Sequence, residues 1–349
     1  MRIGFDTSAL VRPHPPGIVR LVACAMAALE RTAGITALRL EPGPNENLIL
    51  WRQVRLPQLL RERELIGVHS FVSAFALAGP GKRVQTIHEL PWRHGVRENA
   101  GLRHRFWARI ASRRADLVLC GTDFVARELR RGPAAARVRL CPWGVDSAQF
   151  RIAGASTAIA AWRAEQGLGE TAAAAAPAVI LAPGAVRPKK NLAALLRGIA
   201  ERKRRGAPSV VVAVSGEVGA DAKRDQALAR ELGIEQEVRW LGVLDETQLV
   251  QWVSAADGIS VLSHSEGFGL PVLEAFAAGR GVLVSKDSAQ AEVAAGLGIE
   301  VDPLDPASVA DGIEGLLRDR RGAERQAHAA HFSWERCAAR IADLWREIA

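Results

Sequence analysis

SHSEGFGLPVLEAFAAGRGVLV, residues 263–284, follows the apolar run GISVL (258–262) and carries two glutamates, Glu266 and Glu274, with Gly267 and Gly269 between them. The run before it has the length and branched content of a buried strand. PVLEAFAAG reads as a helix with Pro271 at its first position and Gly279 as its stop. Strand, glycine loop and helix start follow in the order with which an open α/β sheet binds an anion, because glycines let the backbone come close and helix N–H groups point at the ligand. Glu266 is expected in the loop. Glu274 is expected in the first helical turn, where the dipole favours its ionised form. Two carboxylates facing one pocket suit a hydroxyl-rich ligand, since each can accept paired hydrogen bonds from a diol.

A second cluster of chemistry lies upstream. AVILAPG (178–184) reads as a buried strand ending at Gly184, and AVRPKKNLAALLRGIA (185–200) follows it. Arg187, Lys189 and Lys190 thus fall between a strand end and a helix. A bare charge run there would be solvated surface, but the carboxyl end of a strand faces the crevice of such sheets. SVVVAVSGE (209–217) is another buried strand, ending near Gly216, and VRWLGVL (238–244) another, with Gly242 at its end. Trp240 fits a core position.

These strings together resemble the retaining glycosyltransferases of family 4 (GT4), and EGFGLPVLEA resembles their Glu-x7-Glu motif most closely. The resemblance implies the GT-B fold: α/β, two Rossmann-like doubly wound domains with a cleft between them. It implies that Glu274 holds the ribose hydroxyls of a sugar nucleotide and that Glu266 contacts the transferred sugar. Gly267, Phe268, Gly269 and Leu270 then form the donor loop, with Gly269 and Leu270 offering backbone N–H groups. Gly184, Gly216 and Gly242 line the nucleotide. Lys190, with Lys189 or Arg187, neutralises the departing diphosphate. The arginine often found five places before the family lysine is Ala185 here.

The first half of the chain resembles the same family in shorter strings. His88-Glu89, at the end of a strand expected over Val84–His88, matches its His-Asp segment, with Glu in place of Asp; this implies that His88 lies against the donor sugar. ADLVLCGTDF (115–124) reads as strand, turn and helix cap. RVRLCPWGVDSAQF (137–150) resembles the segment that closes the first domain, with Trp143 where the family has Asn. The glycine-rich acceptor-side loop keeps Gly17, Ile18 and Arg20 but has a proline and Val19 at two glycine positions, and the helix after it is expected over Ile18–Leu29.

The expected organisation is an N-terminal domain over 1–152, completed by a C-terminal helix at 333–349, a linker over 153–177, and a nucleotide-sugar domain over 178–332. At 349 residues and 48% apolar content the chain can bury two cores. It shows no signal-peptide pattern, no run long and uncharged enough to span a membrane, and four cysteines without metal-ligand spacing, so a reducing, cytoplasmic location is the default expectation. Residues 1–150 hold 23 Lys/Arg against 12 Asp/Glu, whereas 151–349 hold 23 against 26, so the first half is expected to meet something anionic. Arg52, Arg55, Arg61 and Arg63 read as a solvated face. The apolar and basic mixture around them also suits a membrane interface, and the arginines of 97–114 suit an acceptor or membrane contact. A peripheral position on the inner face of the cytoplasmic membrane follows as an expectation.

The implied reaction moves a hexose, mannose from a GDP-sugar being favoured and a UDP-sugar being the alternative, onto a glycan or polyprenyl-linked acceptor, as in polysaccharide, lipopolysaccharide or O-antigen assembly. No cofactor is expected beyond this co-substrate, and the lack of Asp-x-Asp leads us to expect no metal. Three other classes compete. A weakened sugar-nucleotide-binding scaffold would bind donor without transfer. A nucleic-acid binder would need a recognisable module and interleaved aromatics, which the basic half lacks, so no nucleic-acid partner is expected. An epimerase would release a free epimer.

Overall fold

In the computed structural model, which describes residues 1–98, 100–151, 155–169, 177–184, 186–217 and 219–349 (side chains of 155–158 excepted), twelve strands form two wholly parallel six-stranded sheets. The first contains β1 (Arg2–Asp6), β2 (Thr36–Leu40), β3 (Gly67–Ser70), β4 (Lys82–Thr86), β5 (Leu117–Cys120) and β6 (Val138–Leu140), in the order β2-β1-β3-β4-β5-β6. The second contains β7 (Ala178–Ala182), β8 (Val210–Ser215), β9 (Val238–Gly242), β10 (Gly258–Val261), β11 (Gly281–Ser285) and β12 (Ile299–Val301), in the order β12-β11-β10-β7-β8-β9. Helices follow the strands and cover the sheets, which is why GISV and GVLVS are buried throughout rather than alternating. Both sheets are doubly wound, as expected. In the second, strand order reverses between β7 and β10, which pair at Gly258 with Ile180 and Ile259 with Leu181. The loops leaving these two strands therefore open onto the crevice of the sheet.

The contacts divide the chain into one unit of Met1–Gly144 with Phe332–Ala349 and another of Val145–His331. In the second unit, Ile180, Val212, Leu283 and Ile313 belong to one core. The helix Leu192–Arg204 packs on Pro306–Arg318 at Gly198, where a Cβ would come within 2.3 Å of Val309 Cγ1. The helix Ala155–Glu165 packs on Glu246–Ala255, and buried Arg163 donates to the Ala255 carbonyl at 2.6 Å. Residues 153–154 and 170–176 of the expected linker lie outside the described residues, as does Ala185.

In the first unit, the helix Trp334–Arg346 is capped by Ser333 and packs on Pro16–Leu29, burying Ile341, Leu344 and Trp345. Cys141 and Cys337 meet there at 4.0 Å as hydrogen-bonded thiols. That bond and burial push the Cys337 thiol well above its ordinary range.

Three local readings are corrected. The helix expected from Ile18 begins at Pro16, whose fixed φ suits a first helical residue, so Gly17 lies in the first turn rather than in a loop. The strand expected to reach His88 ends at Thr86. Arg52 is not on a solvated face. It is 4% exposed and donates from Nε to Asp6 Oδ2 at 2.8 Å and from Nη2 to Ser8 Oγ at 2.8 Å.

Candidate active site

The site in the second unit is built from the loops after β7 and β10. Pro188–Lys190 forms a single 3-10 turn, closed by Asn191 in the left-handed conformation (φ 53°) at the start of the next helix. This turn buries Lys189 and brings Lys190 toward the other loop. The two loops are tied by backbone: His264 N–H donates to the Lys189 carbonyl at 2.8 Å. Across that tie, Lys190 Nζ donates to Glu266 Oε1 at 2.6 Å, and Ser263 Oγ donates to the same oxygen at 3.1 Å. Lys190 thus spends one of its three N–H donors on Glu266.

Burial alone would raise the Glu266 carboxyl. The charges of Lys190 and Lys189, with the hydrogen bonds from Lys190 and Ser263, outweigh it and hold the group at about 2, against an ordinary 4.5. A carboxyl depressed on folding stabilises the folded state fully above its unfolded pKa and loses that contribution as pH falls toward the folded value. The second unit should therefore lose melting temperature between about pH 4.5 and 2. Glu266→Gln should show a smaller fall over that window in a pH series of thermal melts, while an equal fall would place the acid sensitivity elsewhere.

Gly269 precedes the helix Leu270–Ala277 with φ 96°, a conformation that calls for glycine, and a Cβ there would also crowd Cγ of buried Gln290 at 3.2 Å. Phe268 is buried behind the loop. Gly267 and Gly269 are buried, while Leu270 is half-buried at the helix start. The helix ends as expected at Gly279 (φ 71°), whose N–H donates to Phe276 O while Arg280 N–H reaches back to Ala275 O. Glu274 is corrected: it is the fifth helical residue, beyond the first turn, because the helix starts at Leu270, and it is 3% exposed. Its placement therefore owes nothing to the helix dipole.

The three glycines expected along the nucleotide are brought together at the ends of adjacent strands. Gly184 N–H donates to Ser215 Oγ at 3.2 Å, and Gly216 N–H donates to the Gly242 carbonyl at 2.7 Å. A Cβ on Gly184 would lie 3.8 Å from Lys190 Nζ. Gly184, Lys190, Ser260, Ser263 and Pro271 help line an open concavity of about 450 Å³. Arg187 is half-buried at the start of the turn. Ser215 and Ser263 escaped the sequence reading, although Ser263 stands three residues before Glu266. Asn191 could have been found as a turn residue before an apolar helix.

In the first unit, His88 faces Phe71 and Trp143. Its Nε2–H donates to the Phe71 carbonyl at 2.8 Å, and its ring centre is 5.6 Å from that of buried Trp143. Trp143 thus supports the histidine ring from one side. Gly17 is exposed and Arg20 half-buried on the helix Pro16–Leu29.

Residues 169–331 match the family described as Glycosyl transferases group 1, and residues 12–149 match Glycosyltransferase Family 4. The chain is 34% identical over 247 residues to D-inositol 3-phosphate glycosyltransferase 2 of Catenulispora acidiphila, a match covering 66% of this chain and 56% of that protein. It is 30% identical over 296 residues to the D-inositol 3-phosphate glycosyltransferase of Corynebacterium jeikeium, covering 77% of this chain and 69% of that one. It spans little more than half the length of the first of these relatives. Among solved structures it is similar to Anabaena HepE in complex with UDP and glucose, with TM-score 0.78 and 17% identity over 99% of this chain and 100% of that one. At that identity the likeness speaks for the GT-B fold alone.

Proposed function

The chain belongs to the group 1 glycosyltransferases of family 4, and from that premise we propose that it transfers a hexose from a nucleoside diphosphate sugar to an acceptor hydroxyl, retaining the anomeric configuration and using no metal ion. The observation that carries this reading is the Lys190–Glu266 ion pair at the crevice of the second sheet. The hard step is departure of the nucleoside diphosphate. Fixed positive charge where that negative charge develops lowers the barrier most. Lys190 is held by Glu266 with donors to spare, and buried Lys189 adds charge behind it. Glu266 stays ionised and can accept from a sugar hydroxyl. Glu274 is assigned the ribose diol, the loop 267–270 the donor, and His88 a role toward the transferred sugar. The sugar–diphosphate bond breaks, the acceptor oxygen bonds to the same anomeric carbon from the same face, and the acceptor proton passes to the departing phosphate oxygen.

The sequence string supports a GDP-hexose, with a glycan or polyprenyl-linked acceptor. A phosphorylated cyclitol acceptor, with a UDP-hexose as the alternative donor, is the second reading, and the relatives' names support that acceptor. Incubation of GDP-mannose and UDP-glucose with glycan, polyprenyl and inositol phosphate acceptors, in the presence of EDTA, tests the proposal. Proton NMR of a product with the donor's anomeric configuration supports it. An inverted product or a strict metal requirement refutes the corresponding part.

A further inference from the structure

Gln290 stands where a polar side chain is costly. It is the second residue of the helix Ala289–Ala294, is 1% exposed, and has Ala289, Ala291 and Val293 buried on either side of it. Among the described residues, neither its Oε1 nor its Nε2 has a hydrogen-bond partner. Buried side-chain amides are almost always paired, and one left unpaired at both atoms destabilises the state that holds it so. An aliphatic side chain of similar volume would fill the same space without that cost. The polar residue is accounted for by a second state in which the amide is paired.

Its neighbour identifies that state. Gln290 Cγ packs so closely on Gly269 that a Cβ there would lie 3.2 Å away, and Gly269 belongs to the loop 267–270. The turn that carries Gln290 is fixed. β11 runs beside β10, with Val284 opposite Val261. Ser285 Oγ donates to the Ser263 carbonyl at 3.4 Å. Ser288 Oγ caps the helix, donating to the Ser285 carbonyl at 2.6 Å and accepting from the Ala291 N–H at 3.1 Å. The loop, with Gly267 and Gly269 on either side of Phe268, is the partner whose backbone has freedom to turn.

We infer that Gln290 is a positioning residue for the donor loop: its amide bonds to the backbone of residues 267–270 when a nucleoside diphosphate draws that backbone toward itself, and so holds the loop in its phosphate-binding form. The inference rests on the donor role proposed for the second unit and adds to it a residue that touches no part of the donor. The orphaned amide raises the free energy of the unloaded loop. Pairing it in the loaded loop removes that cost, so the difference favours binding.

Calorimetric titration of the full chain with GDP and with UDP tests this, on the wild type and on Gln290→Leu and Gln290→Met. Both substitutions keep the volume and remove the pairing. Without nucleotide, both variants should melt at or above the wild-type temperature, because the unpaired amide is gone. Both should bind the better of the two nucleotides about tenfold more weakly. KM for the hexose conjugate of that nucleotide should rise by the same factor at unchanged kcat, as expected when binding common to ground and transition states is lost. A wild type that binds neither nucleotide overturns the donor reading and this one together. A wild type that binds, with variants that bind equally well, overturns this one alone. Variants that both melt well below the wild type make Gln290 a packing residue and overturn it as well.

Discussion

Lys190→Ala is expected to lower kcat by about 100- to 1000-fold, which corresponds to about 2.7–4 kcal/mol of barrier. The ammonium is held at 2.6 Å from Glu266 in a largely buried pair, so it is pre-positioned and needs no reorganisation when the diphosphate leaves. Its contribution grows as charge develops on the leaving group. The loss should therefore appear equally in kcat and kcat/KM, with KM little changed. Glu266 loses its nearest cation in the variant, so its carboxyl should titrate nearer the ordinary range. Lys190→Arg should recover little, because a planar fork does not reproduce a compact point charge on a flexible stem. Steady-state kinetics with the preferred donor decide the matter. A rise in KM at unchanged kcat would make Lys190 a binding residue rather than a stabiliser of the departing group.

Arg52→Ala is expected to destabilise the first unit by about 3–5 kcal/mol, because it strands a buried carboxylate. Asp6 ends β1, and both side chains of the pair are almost fully enclosed. Asp6 Oδ1 also accepts from the Ser8 N–H at 3.0 Å, so the pair organises the turn leaving the first strand. Thermal or denaturant unfolding of the variant should show a separate early transition, since the chain has two units and two-state behaviour is not expected. The double variant Asp6→Leu, Arg52→Met should regain much of the loss, because removing both charges also removes the cost of burying one alone. An Arg52→Ala protein that melts with the wild type would refute the role given to this pair.

The strand–loop–helix around Glu266 was legible because glycine and proline punctuate it. Gly269 must adopt a left-handed φ, Gly279 must end a helix, and an apolar run between them leaves one reading. The alternation of buried strands and helices made the doubly wound α/β fold legible in the same way. Pairings across long sequence distances were not. Arg52 looks like its neighbours Arg55, Arg61 and Arg63, and only the fold brings it to Asp6, 46 residues earlier. The Lys190–Glu266 bond spans 76 residues, so both partners were named but not their union. Glu274 was placed one residue too early, in the first turn, because the helix opens at Leu270, ahead of the proline. Trp143 had no reading until its ring was found against His88.

The central claim, that the crevice of the second sheet holds a nucleoside diphosphate sugar between Lys190 and Glu274, is tested most directly by thermal denaturation with GDP, UDP, ADP and dTDP and their sugar conjugates. A ligand at about 100 times its Kd should stabilise the folded protein by about 2.7 kcal/mol. The account predicts stabilisation by one base family, lost in Glu274→Gln and reduced in Lys190→Ala. A folded wild type that no nucleotide stabilises, or a shift that survives both substitutions, would contradict it.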